Sequence, residues 1–262
     1  MTSINRSQGW TNAKNSGHLN EDIITEHINQ KNDGNVAKNI GSLRLESTSG
    51  KKIPVKPDLI MTLNNKDIKV SVKKSLSGQV HLTKVNIFVD GYEKSYQTIP
   101  TNVKNALSLT FGGNKDVNII LNDEVYDHND DKVMVIQRRR KTICFDTLKK
   151  YNNQMYEDMI QWIKDNITNI TEIVFKTGFV IDENYYADNI WYKNMVDENQ
   201  PVDQLFDINE LISKCNQFKN EIYGKTKNGG TVINLPFGHL QYHQGGLQFH
   251  HNYDKIKTMF NS

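Results

Sequence analysis

The residues most able to do chemistry together are Asp58, Ser71 and Lys73, near the ends of two adjacent segments with strand-like alternation. If Asn64 and Asn65 form a two-residue turn between these segments, the hairpin register places Asp58 opposite Ser71. Lys73 then lies diagonal to Asp58 on the same face of the sheet. One face of this hairpin is therefore predicted to carry an acid, a hydroxyl and an amine.

This group of side chains could assist the hydrolysis of a phosphodiester. An aspartate can bind Mg²⁺, and a neighbouring lysine can orient the attacking water or stabilise the negative charge that develops on phosphorus. An exposed Asp–Lys pair is also common on sheets, where it adds less than about 1 kcal/mol to stability. The spacing alone leaves this purely structural interpretation open. The opposite face is predicted to be apolar, with Leu59, Met61, Leu63, Ile68, Val70 and Val72.

The flanking segments alternate between helical and strand-like spacing, which predicts a mixed α+β fold. In the N-terminal part, helices are predicted over about 17–30 and 79–92, and strands over 43–46, 53–63, 67–75, 118–121 and 133–136. From residue 145 the pattern predicts a long helix to about 166, a helix over 206–218, a hairpin within 231–251 and a short helix from 253. Because helical spacing predominates from residue 145 onward, a boundary is predicted between domains 1–145 and 146–262.

The order helix, three strands, helix, with Pro57-Asp58 on the second strand and Lys73 on the third, resembles the PD-(D/E)xK nuclease superfamily, type II restriction endonucleases in particular. The resemblance covers residues 17–92. The upstream motif G-x-x-x-E of that family is similar to the segment Gly17–Glu21, which would make Glu21 the helix-borne acid. The resemblance implies a central mixed sheet flanked by helices as a catalytic core, followed by a C-terminal lobe of helices and a β-hairpin that recognises DNA.

The resemblance also implies a metal site. Mg²⁺, or Mn²⁺ as a substitute, would be held by Asp58, Glu21 and the main-chain carbonyl of Val72, while Lys73 activates or positions water. The family normally has an acid where this chain has Ser71, and a hydroxyl is a much poorer ligand for Mg²⁺.

Some restriction endonucleases with S-x-K recruit an acid from the following helix instead. Asp90 and Glu93 are the nearest downstream acids, and we rank Glu21 above them as the second carboxylate.

The predicted function is therefore a Mg²⁺-dependent endodeoxyribonuclease that cuts double-stranded DNA at a specific sequence, with a homodimer implied by the resemblance. Three alternatives stay open. The chain could be a repair or junction-resolving nuclease, or a non-catalytic DNA-binding protein that has lost the acid at position 71. It could also be a zinc enzyme with histidine ligands.

The C-terminal hairpin is rich in Gln and His. A turn at Gly245-Gly246 would place Gln241 opposite His250 and His243 opposite Gln248, all on one polar face. Gln and His can bond to purine edges in the major groove, where a two-stranded ribbon fits. A solvated polar face is an equally valid interpretation, and the histidines lack the neighbouring cysteines of a zinc motif.

A basic run could bind DNA phosphates. It is predicted to follow a strand, and a solvated strand end is the alternative; its residues are Arg138, Arg139, Arg140 and Lys141.

Composition excludes several classes of protein. The 262 residues carry 32 basic and 30 acidic side chains, a formal net charge of +2, which excludes a histone-like polycation. No apolar run approaches the roughly 18 residues of a membrane span, and the N-terminal segment lacks the apolar stretch of a signal peptide, so a cytoplasmic protein is expected. Cys144 and Cys215 are expected to be buried thiols.

Overall fold

The computed structural model describes residues 3–31, 34–63, 65–126, 130–196, 202–227 and 230–262, with the backbone alone described over 3–16. Within these residues the chain forms two compact units. The first contains Met1–Leu76 and Phe175–Leu211, and the second contains Ser77–Val174 and Ile212–Ser262. Each unit is therefore built from two separate parts of the chain, and residue 145, after which a boundary was predicted, lies inside the second unit.

The elements fall into two sets. The helices are α1 Ser3–Gln30, α2 Val85–Ser95, α3 Thr101–Phe111, α4 Val117–Leu121, α5 Asp131–Arg140, α6 Phe145–Asp165, α7 Ile167–Glu172, α8 Ile208–Gln217 and α9 Tyr253–Phe260. The strands are β1 Val36–Asn39, β2 Arg44–Glu46, β3 Lys52–Pro54, β4 Leu59–Leu63, β5 Lys66–Lys73, β6 Ser77–Lys84, β7 Asn189–Lys193, β8 Asp203–Asp207, β9 Tyr223–Lys227, β10 Gly230–Leu235, β11 Gly238–His243 and β12 Gly246–Asn252.

A five-stranded mixed sheet organises the first unit, in the order β1-β4-β5-β7-β8. Strand β5 pairs in parallel with β7, and the other neighbours are antiparallel. Helix α1 covers one face of this sheet, where Ile24 and Ile28 pack against the apolar side chains of β4 and β5. That apolar face is the one predicted from the sequence, and burying it explains why the hairpin residues alternate as they do. The mixed α+β class with a central mixed sheet is confirmed.

The second unit contains a five-stranded antiparallel sheet in the order β6-β12-β11-β10-β9. One face of this sheet is apolar, and Phe249 of β12 packs there 6.1 Å from Phe88 of α2, measured between ring centroids. Strand β6, which is distant in sequence from the other four strands, completes this sheet because it pairs with β12. In this part of the chain the sequence analysis correctly predicted the long helix α6, the C-terminal hairpin and the short helix α9, but it did not predict β9.

Four sequence-based predictions of secondary structure are wrong. The strand predicted over 53–63 is divided into β3 and β4, which belong to different sheets. The segment 79–92 was predicted as one helix, but its first half is β6 and only its second half is α2. The predicted strands at 118–121 and 133–136 are helices α4 and α5, so the basic run ends a helix and does not follow a strand. Short apolar runs do not distinguish strand from helix, and pairing with a distant strand overrides a local helical stripe.

Helix α5 shows a local signal that favours the helix. Asp130 caps its N-terminus by accepting a hydrogen bond from the Lys132 amide at 2.8 Å, and its basic run lies at the C-terminus, where positive charge is favourable.

No helix in the described ranges has the length and apolarity needed to cross a membrane.

Candidate active site

The β4–β5 hairpin adopts the predicted register. Leu59 pairs with Val70 and Leu63 pairs with Lys66. Asn65 has a φ of 66°, the left-handed conformation that a two-residue turn requires, while Asn64 lies outside the described residues.

The two strands separate immediately before Leu59. The Asp58 amide donates to the Val70 carbonyl at 2.8 Å, but the Val72 amide donates to Oδ2 of the Asp58 side chain at 2.7 Å, in place of a main-chain acceptor. The Ser71 hydroxyl also donates to Oδ2, at 3.3 Å. Asp58 is thus fixed at the point where the hairpin opens, with its second oxygen, Oδ1, not used by these two hydrogen bonds.

Lys73 lies next to this carboxylate. Its Nζ donates to Ser71 Oγ at 2.7 Å and to the Val72 carbonyl at 3.1 Å, and it lies 3.9 Å from Asp58 Oδ2. The side chains of Lys73 and Asp58 are 15% and 23% exposed, so both are partly shielded from water yet still accessible. The hydroxyl of Ser71 links the acid to the amine.

Glu21 reaches the same place from helix α1. The preceding residue, Asn20, is 1% exposed and fixes the helix to the end of β7: its Nδ2 donates to the Lys193 carbonyl at 2.9 Å, and its Oδ1 accepts from the Met195 amide at 2.8 Å. Burial, and then the negative charge of Asp58, raise the pKa of Glu21 above its ordinary value. Two carboxylates are therefore held close enough to repel each other.

Gly41 faces the space between these acids. A Cβ built on Gly41 would lie 2.9 Å from Glu21 Oε2, 3.5 Å from Asn39 Oδ1 and 3.8 Å from Asp58 Oδ1. Three oxygen atoms from α1, β1 and the start of β4 therefore surround one small volume that only glycine leaves open. Asn39 accepts from the Gly41 amide at 3.0 Å and donates to Asp22 at 2.7 Å, which orients its carbonyl oxygen.

Asn39, Gly41 and His18 were not identified from the sequence. His18 lies one turn before Glu21, and its Nδ1 is 3.3 Å from Glu21 Oε2. The helical spacing of His18 and Glu21 could have indicated their contact. Asn39 and Gly41 gave no such signal, because strand β1 itself was not predicted.

Lys56 is a second lysine near Asp58 that sequence reasoning missed. Burial lowers the pKa of Lys56 to about 7, with a further contribution from the positive charge of Lys73, and Asp58 opposes both effects. Its position two residues before Asp58 in an extended segment was a usable signal, since alternate residues share a face.

The Gln and His residues of the second unit also share a face, but in a different register from the predicted one. Gln241 pairs with Gln248 and His243 pairs with Gly246. The turn is Gln244-Gly245, with φ angles of 47° and 77°. The predicted turn at Gly245-Gly246 is wrong because Gly246 serves another purpose: a Cβ there would lie 2.5 Å from the Thr83 carbonyl oxygen of β6.

The register differs by two positions, so each side chain keeps its predicted face. Gln241 Nε2 donates to Gln248 Oε1 at 2.9 Å and lies 3.1 Å from His250 Nε2, and Gln248 Nε2 donates to Gln79 Oε1 at 2.7 Å. His239 stacks on His250 with the ring centroids 4.5 Å apart. Burial lowers the pKa of His250 to about 4, so this network is neutral at pH 7.

The basic run at the end of α5 is partly engaged within its own unit. Arg138 donates to the Leu121 carbonyl at 3.3 Å, and the Arg140 guanidinium lies 5.2 Å from the ring centroid of Tyr242. Arg139 and Lys141 are exposed. Asp90 and Glu93 belong to the second unit, where Glu93 accepts from the Ile99 amide and Lys104.

Comparison with known proteins finds few similarities. No family model matches the chain, and no curated protein matches it. Among solved structures, the restriction endonuclease MspI in complex with its cognate DNA is similar, with a TM-score of 0.45 and 9% sequence identity over 82% of this chain and 70% of that chain. At this level of similarity the function has to be inferred from the site itself.

Proposed function

We propose that the chain is a Mg²⁺-dependent endodeoxyribonuclease that hydrolyses phosphodiester bonds in double-stranded DNA at a specific sequence. The observation that supports this proposal most is the grouping of Asp58 and Lys73 at the opening of the β4–β5 hairpin, with Glu21 facing the same space.

The donor atoms suit a hard divalent cation. Mg²⁺ prefers oxygen ligands and keeps several waters, so one or two carboxylates are sufficient protein ligands. Asp58 and Glu21 would supply the carboxylates and Val72 a main-chain carbonyl. Burial raises the pKa of Glu21 and repulsion by Asp58 adds to this effect; a cation would relieve that repulsion. Among the described residues no group of three His, Cys, Asp or Glu side chains that could hold a metal ion is found, so the proposed site has two carboxylates and depends on water for its other ligands.

When bound, Mg²⁺ supplies Lewis-acid activation of the phosphate and of a water molecule. Within the chain, Asp58 is held by the Val72 amide and Ser71, so its second oxygen keeps one orientation. Lys73 has an ammonium group that can position the attacking water or stabilise charge on the phosphate oxygens. Ser71 positions that ammonium, because its hydroxyl accepts from Nζ at 2.7 Å.

Sequence specificity is assigned in this proposal to the neutral network on the second sheet. Gln241 and His250 are half-buried and lie against each other in fixed orientations, which suits the reading of base edges. Gln248 is buried and its amide is bonded to Gln241 and Gln79, so its role would be to orient Gln241. His243 lies on the same strand as Gln241, and the exposed Arg139 and Lys141 would contact phosphates, with Arg138 and Arg140 beside them. A homodimer remains a prediction from the resemblance.

The test is cleavage of plasmid DNA with Mg²⁺ by wild type, Asp58→Ala and Lys73→Ala. Wild type should yield discrete fragments, whereas both variants should lose cleavage and keep DNA binding. Lys66→Ala, at the distant end of β5, is the matched control and should cleave normally. Full cleavage by Asp58→Ala would refute the proposal, and cleavage without discrete fragments would favour a repair or junction nuclease.

A non-catalytic DNA-binding protein is the second candidate, and Ser71 is the observation that favours it. At position 71 a hydroxyl donates to Asp58, whereas another carboxylate at this position would strengthen a metal site. Titration with Mg²⁺ and Mn²⁺ separates the two candidates: binding that weakens in Asp58→Asn supports the enzyme, and undetectable binding of either ion supports the non-catalytic protein.

A further inference from the structure

Lys56 and Asp58 lie on the same side of an extended segment. Val55 and Pro57 are buried, whereas Lys56 and Asp58 are partly exposed. Since successive side chains of an extended chain point to opposite faces, Lys56 is directed to the side that carries Asp58. Lys56 also interacts electrostatically with both Asp58 and Lys73. Lys56 and Lys73 therefore both act electrostatically on the Asp58 carboxylate at the opening of the hairpin.

The loop that contains Gly178 and Phe179 determines the path of the Lys56 side chain. Its stem lies along Gly178: a Cβ on Gly178 would be 2.7 Å from Lys56 Cε and 3.2 Å from Cγ. Gly178 and Phe179 both have positive φ, 59° and 72°, and Phe179 is 5% exposed. Left-handed backbone at a buried phenylalanine is uncommon and persists only where the surroundings enforce it.

Hydrogen bonds to the β2–β3 region and to the chain before β7 hold this loop in place. The Thr48 amide donates to the Phe179 carbonyl at 3.0 Å, and the Ile181 amide donates to the Glu46 carbonyl at 3.1 Å. The Ala187 amide donates to the Lys176 carbonyl at 3.0 Å. The loop is thus fixed on both sides, and the space beside Gly178 accommodates the lysine stem.

The charges of the site point to the ligand. Glu21 and Asp58 carry two negative charges, and Lys56 and Lys73 carry two positive charges when protonated. The protonated lysines balance the two acids, so with or without a bound cation they are the groups of this chain that can attract a phosphodiester anion. Where two lysines lie near each other, an anion with several oxygens offsets the repulsion between their ammonium groups.

We propose that Lys56 is a second phosphate-binding residue of the site, which contacts a non-bridging oxygen of the DNA backbone beside the phosphate that Lys73 faces. The inference rests on the proposed nuclease function and adds a substrate contact to it. The loop at Gly178 acts as the support that directs the ammonium group.

The experiment measures duplex DNA binding in EDTA, where no cleavage occurs, as a function of salt concentration. Each phosphate contact contributes about 0.9 to the slope of log K against log salt concentration. Lys56→Met keeps the apolar stem along Gly178 and removes the charge, so the slope should fall by about 0.9. Lys56→Arg keeps the charge and should preserve the slope. Lys66→Met removes one charge from the far end of β5 and should leave the slope unchanged.

The outcomes separate the inference from the function that it extends. If Lys56→Met keeps the wild-type slope while Asp58→Ala abolishes cleavage, Lys56 binds no phosphate and the nuclease proposal stands. If the wild-type chain neither binds nor cleaves duplex DNA, both are overturned. If Lys56→Met does not fold, as judged by circular dichroism, Lys56→Gln provides the same loss of charge for the same measurement.

Discussion

Substitution of Gly41 by alanine tests the candidate metal position without altering either acid. The new Cβ would lie 2.9 Å from Glu21 Oε2, a distance that real Cβ atoms essentially never show. The carboxylate must therefore retreat by roughly half an ångström to reach ordinary van der Waals distance. The other two neighbours, Asn39 Oδ1 at 3.5 Å and Asp58 Oδ1 at 3.8 Å, can stay where they are.

This displacement is large on the scale of metal coordination, where ligand distances are held within about 0.2 Å. We expect Gly41→Ala to weaken Mg²⁺ or Mn²⁺ binding by about tenfold or more, which corresponds to roughly 1.4 kcal/mol. Stability should change little, because alanine restricts the unfolded chain and so adds about 0.4–1 kcal/mol, which offsets the crowding at Glu21.

The assays are metal titration by calorimetry and urea denaturation of the same preparations. Gly17→Ala is the control: a Cβ at Gly17 meets nothing within 4 Å, so this change should stabilise helix α1 by up to about 1 kcal/mol and leave metal binding unaltered. Wild-type metal affinity in Gly41→Ala, with its fold intact, would refute the idea that the space between Glu21 and Asp58 holds the cation.

Two further predictions concern stability. Asn20→Ala removes the hydrogen-bond partner of the Lys193 carbonyl and of the Met195 amide at a buried position. The free energy of unfolding, measured in urea, should therefore fall by about 2–3 kcal/mol. A loss below about 0.5 kcal/mol would show that these two hydrogen bonds contribute little to stability. His250 takes up its proton at about pH 4 in the folded chain and near pH 6.5 when unfolded, so protonation favours unfolding in between. Stability should therefore drop by on the order of 1–2 kcal/mol as pH falls from 6.5 to 4, allowing for partial exposure, and His250→Gln should flatten that profile in pH-dependent denaturation.

The site was predictable where it depends on alternation within one hairpin. Asp58, Ser71 and Lys73 are brought together by a register that the turn residues and the apolar pattern define, and this register is confirmed. The placement of Glu21 on a helix was also accessible, because the spacing of Ile24 and Ile28 indicates the buried side of α1. These are local patterns with a period of 2 or 3.6 residues.

The remainder depends on pairing across long stretches of chain, which periodicity does not reveal. Strand β6 forms because β12 lies beside it, and the helical stripe that includes His81 misled the prediction for this segment. At the C-terminal turn, the adjacent glycines Gly245 and Gly246 were both predicted as the turn residues. Only the contact of Gly246 with β6 decides that Gln244 and Gly245 form the turn, since a sequence shows the glycine but not its neighbour.

The parallel pairing of β5 with β7 has a consequence for how the protein is made. The bond from the Lys69 amide to the Asp188 carboxylate joins residues 119 positions apart. At about 5–20 residues per second, translation delivers the second partner roughly 6–24 seconds after the first. During that interval one edge of β5 has no strand to pair with, and an open edge invites association with other nascent chains. Binding of a chaperone to the growing polypeptide would matter most in this window.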